Sequence, residues 1–423
     1  MSLAASAVNN LVRALPAGTA YFIGIVLITM FTGQLVHHQG SLARAALPYL
    51  VHLRWGWHRV ERAMERGKVS LDALFDRAFT WCLACVPVEP VRLGSEGRTV
   101  HAIDSSTVVR LRANKQRCAL LGKGYCHRAQ RAVQANLVAA LTTVVLICGV
   151  RVGLVRRTRF GATCQEAVAK VFADLPKSIE KRLFSVDAGI ATVEQFRAAT
   201  ERDALVGRLR KNVALRRAPT PRPRGRRGRP ALHGPVLHPG AQRPEGPADE
   251  DSTLRVEERE VRVRRWKNLH FRDAPQTLLD VVRVDDPAYK RPLLIGTTAR
   301  ELTTDEIRAA YGHRWPIETN FYVAQGTCAM EMPRAWSETA VERRISLALL
   351  CGSLLKAIAA ACDPLPMGPW DLQAVSSAGR LANHLAIHAG NFVALALQGL
   401  APRTYRKITE AKETTDLQLP LAA

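Results

Sequence analysis

The sequence lacks the cysteine spacing of a structural zinc site. Its nine cysteines are scattered along 423 residues, and Cys82 and Cys85 form a C-x-x-C pair. No second pair at metal-ligand spacing accompanies it, and the group Cys118, Cys126 and His127 is an irregular match to any zinc pattern. We therefore expect no structural zinc, and reduced thiols in a cytoplasmic protein.

Long apolar runs are also absent. The most membrane-like segment spans residues 17–31, is interrupted by Gly24 and is bounded by Pro16 and Gly33. A bilayer-spanning helix needs about 20 apolar residues, so we expect a buried core helix here. No signal peptide of the usual charged, apolar and small-residue form is present. These features predict a protein without a membrane partner.

Acidic residues are few relative to basic ones. Lysine and arginine number 60 against 37 aspartates and glutamates, which gives a formal net charge of +23 at pH 7. A polyanion such as DNA is the partner that this excess indicates, because neutralising phosphates releases counterions. An anionic membrane surface is the competing partner, since charge alone does not distinguish it from DNA. The 47 % hydrophobic content excludes disorder throughout the chain.

Apolar periodicity predicts a helical N-terminal module over residues 1–95. The expected helices lie in the apolar runs 20–31 and 46–53 and in the amphipathic stretches 55–66 and 71–85. From Thr99 the period changes to that of strands.

Residues 96–212 then have the pattern of a mixed α/β domain. Strands are predicted at 99–111, 133–148 and 150–155, with Gly149 in the turn between the last two, and these suggest an antiparallel meander. The next predicted elements are helices at 164–173 and 193–201 and strands at 183–186 and 204–209. A meander followed by strand-helix alternation predicts a mixed sheet flanked by helices.

A basic segment interrupts this pattern. Residues 208–230 contain ten arginines and lysines and no acid, and a composition rich in proline and glycine continues to about residue 248. Such a segment cannot bury enough apolar surface to fold alone, so it is predicted to be a loop or an exposed arm. Strand character returns at 253–271 and 278–284, and residues 213–290 are therefore interpreted as a basic loop and a mainly β insertion.

Residues 291–362 are interpreted as the second part of the α/β domain. Thr303 and Glu306 form a capping-box signature that opens a helix toward Trp315, and Pro316 should kink that helix or start a new one. The other predicted elements are a strand at 292–297, a helix at 338–361, and a long helix or helical hairpin at 381–400 within a helical C-terminal region, 363–423.

Three carboxylates occupy positions that metal chemistry would need. Asp104 lies inside the first predicted strand, Asp187 follows a central strand, and Glu318 lies on a later helix. Two divalent cations can activate both oxygens of a phosphodiester exchange, and Mg²⁺ prefers oxygen ligands. Each acid alone is weak support, because such aspartates are usually turn or cap residues and such glutamates usually face solvent.

The residues around Glu318 carry a more specific signal. Tyr311, Arg314 and Glu318 closely resemble the tyrosine-arginine-glutamate-lysine signature of bacterial DDE transposases with a ribonuclease-H-like core. The resemblance covers roughly residues 97–362, including the segments around the two aspartates. On an unbroken helix the three signature residues would share one face.

The resemblance implies roles for these residues. Asp104, Asp187 and Glu318 would hold two Mg²⁺ or Mn²⁺ ions, and Arg314 and Tyr311 would contact the DNA backbone and a terminal phosphate. The lysine of the signature would lie at position 325, where this chain has Gln325. A neutral amide cannot supply that cation, so the role is lost or taken by another basic residue.

Two further groups are predicted to contact DNA. Arg265, Trp266 and Lys267 place an aromatic ring among cations, as in relatives whose insertion-domain tryptophan stacks on an exposed base, although a buried Trp266 is the simpler interpretation. Arg210 and Lys211 match the basic end of the family's strand after the second aspartate.

The basic segment contains one short motif of its own. Arg227 and Arg229, within Arg-Gly-Arg-Pro, resemble an AT-hook core that reads the minor groove. A generic loop that contacts phosphates is the simpler alternative.

The resemblance implies metal-dependent cleavage at transposon ends and strand transfer into target DNA. The N-terminal module is then expected to bind a DNA end, and pairing two ends requires a homodimer. A catalytically inactive DNA-binding relative is the alternative that Gln325 motivates. A basic peripheral membrane protein is the third hypothesis, and it leaves the tyrosine-arginine-glutamate spacing unexplained.

Overall fold

The computed structural model describes residues 1–50, 57–110, 118, 120–126, 129–175, 178–219, 232–241, 246–256, 258–368, 371 and 373–400. The N-terminal helices are α1 (Ser2–Arg13), α2 (Ala17–Phe31), α3 (Gln34–His37), α4 (Leu42–Leu50), α5 (His58–Arg66) and α6 (Leu71–Cys85). The later helices are α7 (Cys164–Ala173), α8 (Val193–Ala198), α9 (Thr304–Gly312), α10 (Trp315–Gly326), α11 (Glu338–Ala361), α12 (Ala378–Ile387) and α13 (Ala389–Ala396).

The strands lie mainly between these two groups of helices. They are β1 (Val88–Pro90), β2 (Arg92–Leu93), β3 (Arg98–Val109), β4 (Leu121–Cys126), β5 (Arg131–Ile147), β6 (Val150–Gly161), β7 (Arg182–Val186), β8 (Asp203–Arg208), β9 (Leu215–Arg216), β10 (Val236–Leu237), β11 (Glu250–Val256), β12 (Arg259–Phe271), β13 (Ala274–Asp285) and β14 (Leu293–Thr297). The described strands join in one mixed sheet.

The centre of the sheet has a ribonuclease-H-like arrangement. β5 pairs antiparallel with both β3 and β6, which confirms the predicted meander. β3, β7 and β8 are then parallel neighbours. β14, β13 and β12 extend the same sheet beyond β8 with antiparallel pairing. The predicted mixed sheet flanked by helices is therefore confirmed.

Side chains on β3 alternate between two cores. Ala102 packs with the helices of the larger core, which includes α2, α10 and α11, whereas Ile103 packs with α7 and α8 on the opposite face. Asp104 is two residues after Ala102, so its side chain lies on the same face of the sheet, where α10 packs. This alternation decides which helices can reach the carboxylate.

The predicted core helix at 17–31 is confirmed as α2, which is buried along nearly all of its length. Among the described helices, α11 is long and apolar enough to cross a membrane, but 83 % of its most apolar window is buried. Burial inside the fold accounts for that composition, and the helix gives no sign of a membrane protein. Part of the predicted stretches 46–53 and 55–66 lies outside the described residues.

The helix that should carry the signature residues is divided in two. α9 begins with the predicted capping box at Thr303 and ends at Gly312, and α10 begins at Trp315 with Pro316 in its first turn. Proline suits that position because it lacks an N–H and its φ is helical. The condition of one unbroken helix therefore does not hold, and the side chains must converge in another way.

Candidate active site

The two aspartates lie at the same level on neighbouring strands. Asp104 is part of β3, and Asp187 directly follows β7. The parallel register pairs Ile103 with Val186, so the next residue on each strand is one of the two acids. The sequence predicted Asp104 inside a strand and Asp187 just after one, and the parallel pairing of β3 with β7 explains why positions so distant in sequence lie side by side.

The joint between α9 and α10 brings the signature residues onto these acids. The Tyr311 hydroxyl donates to Asp187 Oδ1 at 3.1 Å. Arg314 Nη1 donates to Asp104 Oδ2 at 3.0 Å, and its Nη2 forms an ion pair with Glu318. All five candidate residues thus form one connected cluster, even though no single helix carries the last three.

Burial dominates the electrostatics of this cluster. It raises the pKa of Asp104 to about 6, and Glu318 and Asp187 add repulsion, against the lowering effects of the Ser105 backbone N–H and Arg314. Burial alone would lower the pKa of Arg314, but its acidic surroundings leave it raised. Because the three carboxylates repel one another, a bound cation would stabilise the site.

The donor chemistry fits a hard divalent cation, because all three acids offer oxygen ligands. Within the described ranges, however, no group of three or more aspartate, glutamate, histidine or cysteine side chains is arranged to hold a metal ion. Arg314 lies between Asp104 and Glu318, and Tyr311 holds Asp187. Both interactions therefore engage carboxylate oxygens that metal ions would also use.

Gln325 lies near this cluster and contacts β3. Its Nε2 is 3.4 Å from Ser106 Oγ, so it donates a weak hydrogen bond two residues beyond Asp104. It follows Glu318 by two turns of α10, close to the same side of the helix. The position where the resemblance implies a lysine therefore contacts the strand that carries Asp104, and a neutral amide occupies it.

Sequence reasoning missed a polar group behind α10. Lys356 on α11 donates to the Pro316 carbonyl at 3.2 Å and to Asn320 Oδ1 at 3.0 Å. Asn320 in turn donates to the Gly153 carbonyl of β6 at 2.7 Å. Lys356 is the lone charged residue in the apolar stretch 345–361, but the sequence does not show that its partners lie on another helix.

The β12 residues do not join the acidic cluster. Trp266 is only 1 % exposed and packs in the core on the α7 face of the sheet, so a base cannot stack on it in this conformation. Arg265 is buried in an ion pair with Asp280 at 2.6 Å, and Lys267 pairs with Glu250 at 2.5 Å. This geometry favours the simpler interpretation of Trp266 as a core residue.

The remaining basic candidates lie after β8. Arg210 and Lys211 are exposed at the start of the long connection that follows this strand. Arg227 and Arg229 lie outside the described residues. Of these four predicted DNA-contacting residues, the structure describes Arg210 and Lys211, and both are exposed.

The fold and the cluster together are those expected of a ribonuclease-H-like protein with an acidic site at one edge of its sheet. Residues 96–354 match the family model of the transposase DDE domain. That range is more than half of the chain, and the chain belongs to this family of transposases. No curated protein matched the chain in a sequence comparison.

Membership confirms the resemblance at the level of the DDE class. It also implies a DNA substrate, and transposases of this class are generally dependent on divalent metal ions. The predictions of DNA as partner and of transposase function therefore hold at that level.

Proposed function

We propose that the chain is an active transposase of the tyrosine-arginine-glutamate subgroup that cleaves DNA at transposon ends and joins them to target DNA. The observation that carries this proposal is the convergence of Tyr311 and Arg314 onto Asp187, Asp104 and Glu318 across a break between two helices. A merely solvated glutamate on a charged helix would not share an arginine with a strand aspartate in this way.

Asp104, Asp187 and Glu318 would hold two Mg²⁺ or Mn²⁺ ions. Bound there, the ions would activate the attacking oxygen and stabilise the leaving one. Arg314 would exchange its carboxylate partners for a DNA phosphate, which its planar guanidinium can bind with two parallel hydrogen bonds. The Tyr311 hydroxyl would likewise leave Asp187 and donate to a phosphate oxygen.

The N-terminal module, residues 1–95, would bind the duplex next to the cleavage point. Support comes from α5, where Arg59, Arg62 and Arg66 line a cleft of about 510 Å³. The acids of the same helix, Glu61 and Glu65, line a different cleft, so the helix separates its charges between two sides. Paired ends would bring two copies together as a homodimer, and the protein would act in the cytoplasm.

We assign the other parts of the chain to the domains that were interpreted from sequence. Residues 96–212 and 291–362 would form the catalytic core, and residues 213–290 would be its basic loop and β insertion. The helical region 363–423 would complete the larger core, to which Leu381 and Phe392 already contribute.

Cleavage of the element's own ends tests this function. Purified protein with labelled duplexes from the inverted repeats that bracket the reading frame should release a 3′-hydroxyl end only when Mg²⁺ or Mn²⁺ is present. The freed end should then join to a target plasmid. Binding without cleavage at any metal concentration would contradict an active enzyme.

A catalytically inactive DNA-binding relative is the second candidate, and Gln325 is the observation that favours it. Gln325→Lys separates the two candidates in the same assay, with Gln373→Lys as a control that adds equal charge at an exposed site in the C-terminal region. In an active enzyme the new lysine should tighten binding of a 5′-phosphorylated end by about 1 kcal/mol. Cleavage that appears only in Gln325→Lys would identify a decayed transposase.

A further inference from the structure

Lys356 lies on α11, half-buried beneath the first turn of α10. Its ammonium donates to the Pro316 carbonyl at 3.2 Å, to Asn320 Oδ1 at 3.0 Å and to the Thr319 hydroxyl. These three acceptors lie on both sides of Glu318 in the sequence. One side chain from another helix therefore binds the single turn that carries the glutamate.

The same turn is fixed from its second neighbour, β6. Asn320 is fully buried, and its Nδ2 donates to the Gly153 carbonyl at 2.7 Å. A Cβ on Gly153 would lie 3.0 Å from that nitrogen, so the glycine permits the close approach of α10. On α11, a Cβ on Gly352, one turn before Lys356, would lie 3.1 Å from the Ala324 nitrogen. Two glycines thus let α10 pack closely between β6 and α11.

The ammonium of Lys356 is bound by neutral acceptors. In the part of the chain that the structure describes, the lysine forms no ion pair, and burial lowers its pKa to about 8. Burying a cation without an acid is costly, and a methionine of similar length would fill the same space without that cost. Stability alone therefore does not account for a lysine here, whereas three converging acceptors on one turn do.

We propose that Lys356 is a positioning residue for Glu318, which fixes the first turn of α10 so that the carboxylate faces Asp104. This inference rests on the proposed function, in which Glu318 is a metal ligand. Lys356 contacts the Pro316, Thr319 and Asn320 side of the helix, so it acts through that turn and does not touch the acid. It also does not replace the lysine missing at Gln325, which lies toward the carboxylates.

Lys356→Met in the full-length protein tests the proposal, because it keeps the length of the stem and removes the ammonium. Amide hydrogen exchange of residues 317–321 should accelerate by about tenfold as the turn opens more often. Mn²⁺ affinity, followed by electron paramagnetic resonance, should fall by about tenfold because a ligand is no longer pre-oriented. Lys356→Arg retains donors and should restore part of both properties.

Two controls separate positioning from general stability. Lys170→Met removes a lysine from α7, on the other face of the sheet, and should leave both measurements unchanged. In a Glu318→Gln background, Lys356→Met should cause no further loss of Mn²⁺ affinity, since the lysine acts through that glutamate.

Three results would decide against the proposal or its premise. Unchanged exchange at 317–321 would overturn it, and so would faster exchange throughout the chain together with a lower unfolding temperature. If Glu318→Gln alone leaves Mn²⁺ affinity unchanged while Lys356→Met still opens the turn, the metal-ligand role of Glu318 fails and the fixing of the turn stands.

Discussion

Arg314 and Tyr311 contact the three carboxylates of the acidic cluster directly. Arg314 joins Asp104 to Glu318, and Tyr311 holds Asp187. The two side chains that would bind DNA phosphates are thus the same two that occupy the carboxylates. In the proposed function, DNA binding would therefore release the carboxylates for metal ions through one exchange of hydrogen bonds.

The raised pKa of Asp104 predicts a pH-dependent cost to stability. Burial favours the protonated carboxyl in the folded protein, with a pKa of about 6 against the ordinary value of 3.8. Stability is therefore lost as pH rises from about 4 to about 6, because the folded state must then ionise a buried acid. Asp104→Asn removes this cost, so its advantage in free energy of unfolding should grow across that range to about 1–3 kcal/mol.

Urea denaturation at pH 4, 5, 6 and 7 without divalent ions measures this difference. Asp305→Asn is the control for removing one negative charge, since Asp305 is 72 % exposed on α9. If the free energies of unfolding of Asp104→Asn and of the unmodified protein differ by the same amount at all four pH values, the pKa of Asp104 is not raised in the folded protein.

The helix break at residues 313–314 shows what spacing can and cannot predict at the scale of an element. The capping box at Thr303 and the start of a helix near Pro316 could be read locally, because each depends on neighbouring residues. Spacing on one helix predicted a shared face for Tyr311, Arg314 and Glu318. The side chains meet instead because the joint turns Tyr311 and Arg314 toward two different strands, which no local pattern encodes.

The long-range partners of α10 were beyond sequence reasoning for the same reason. Lys356 and Gly153 belong to separate elements, and they contact α10 only because α11 and β6 pack on that helix. Trp266 is the opposite case, because its aromatic character suited both a stacking site and a core. Only the burial of β12 in the sheet distinguishes the two.

Basic residues outside the acidic cluster should set nonspecific DNA affinity. The Arg62→Ser and Arg66→Ser double variant on α5 should reduce the slope of log affinity against log salt by up to about 2, at roughly 0.9 for each phosphate that is no longer neutralised. Replacing the five arginines between residues 222 and 229, which lie outside the described residues, should reduce it further. Filter binding to a duplex of unrelated sequence gives the slopes.

Lys290→Ser with Arg291→Ser removes the same charge from an exposed turn between β13 and β14 and serves as the matched control. A slope that falls equally in this control and in the α5 variant would mean that total charge matters and the α5 cleft does not.

For the whole molecule, composition and element pattern were enough to predict the class of fold. Alternation of strands and helices indicated a mixed sheet, and the charge of +23 indicated a polyanion. The sequence could not show that β12 and β13 continue the same sheet as β8 and β14, because strand pairing across a long basic connection depends on packing of the whole domain. The candidate site residues could be named from the sequence, but the hydrogen bonds and ion pairs among them could not.

In the proposed function, Asp104, Asp187 and Glu318 bind the metal ions that cleave a transposon end. Asp104→Asn, Asp187→Asn and Glu318→Gln should each abolish cleavage while DNA binding stays nearly intact, since each keeps the shape of the side chain and removes an anionic ligand. Cysteine at each position should also be inactive with Mg²⁺ and regain cleavage with Mn²⁺, which accepts sulfur ligands more readily.

Cleavage of one labelled transposon end by these variants, measured in Mg²⁺ and in Mn²⁺, tests whether the three residues are metal ligands. We predict loss of activity in Mg²⁺ at all three positions and recovery of the cysteine variants in Mn²⁺. Full Mg²⁺-dependent cleavage by a variant at any of the three positions would contradict the claim, because that residue could not then be a ligand of the catalytic ions.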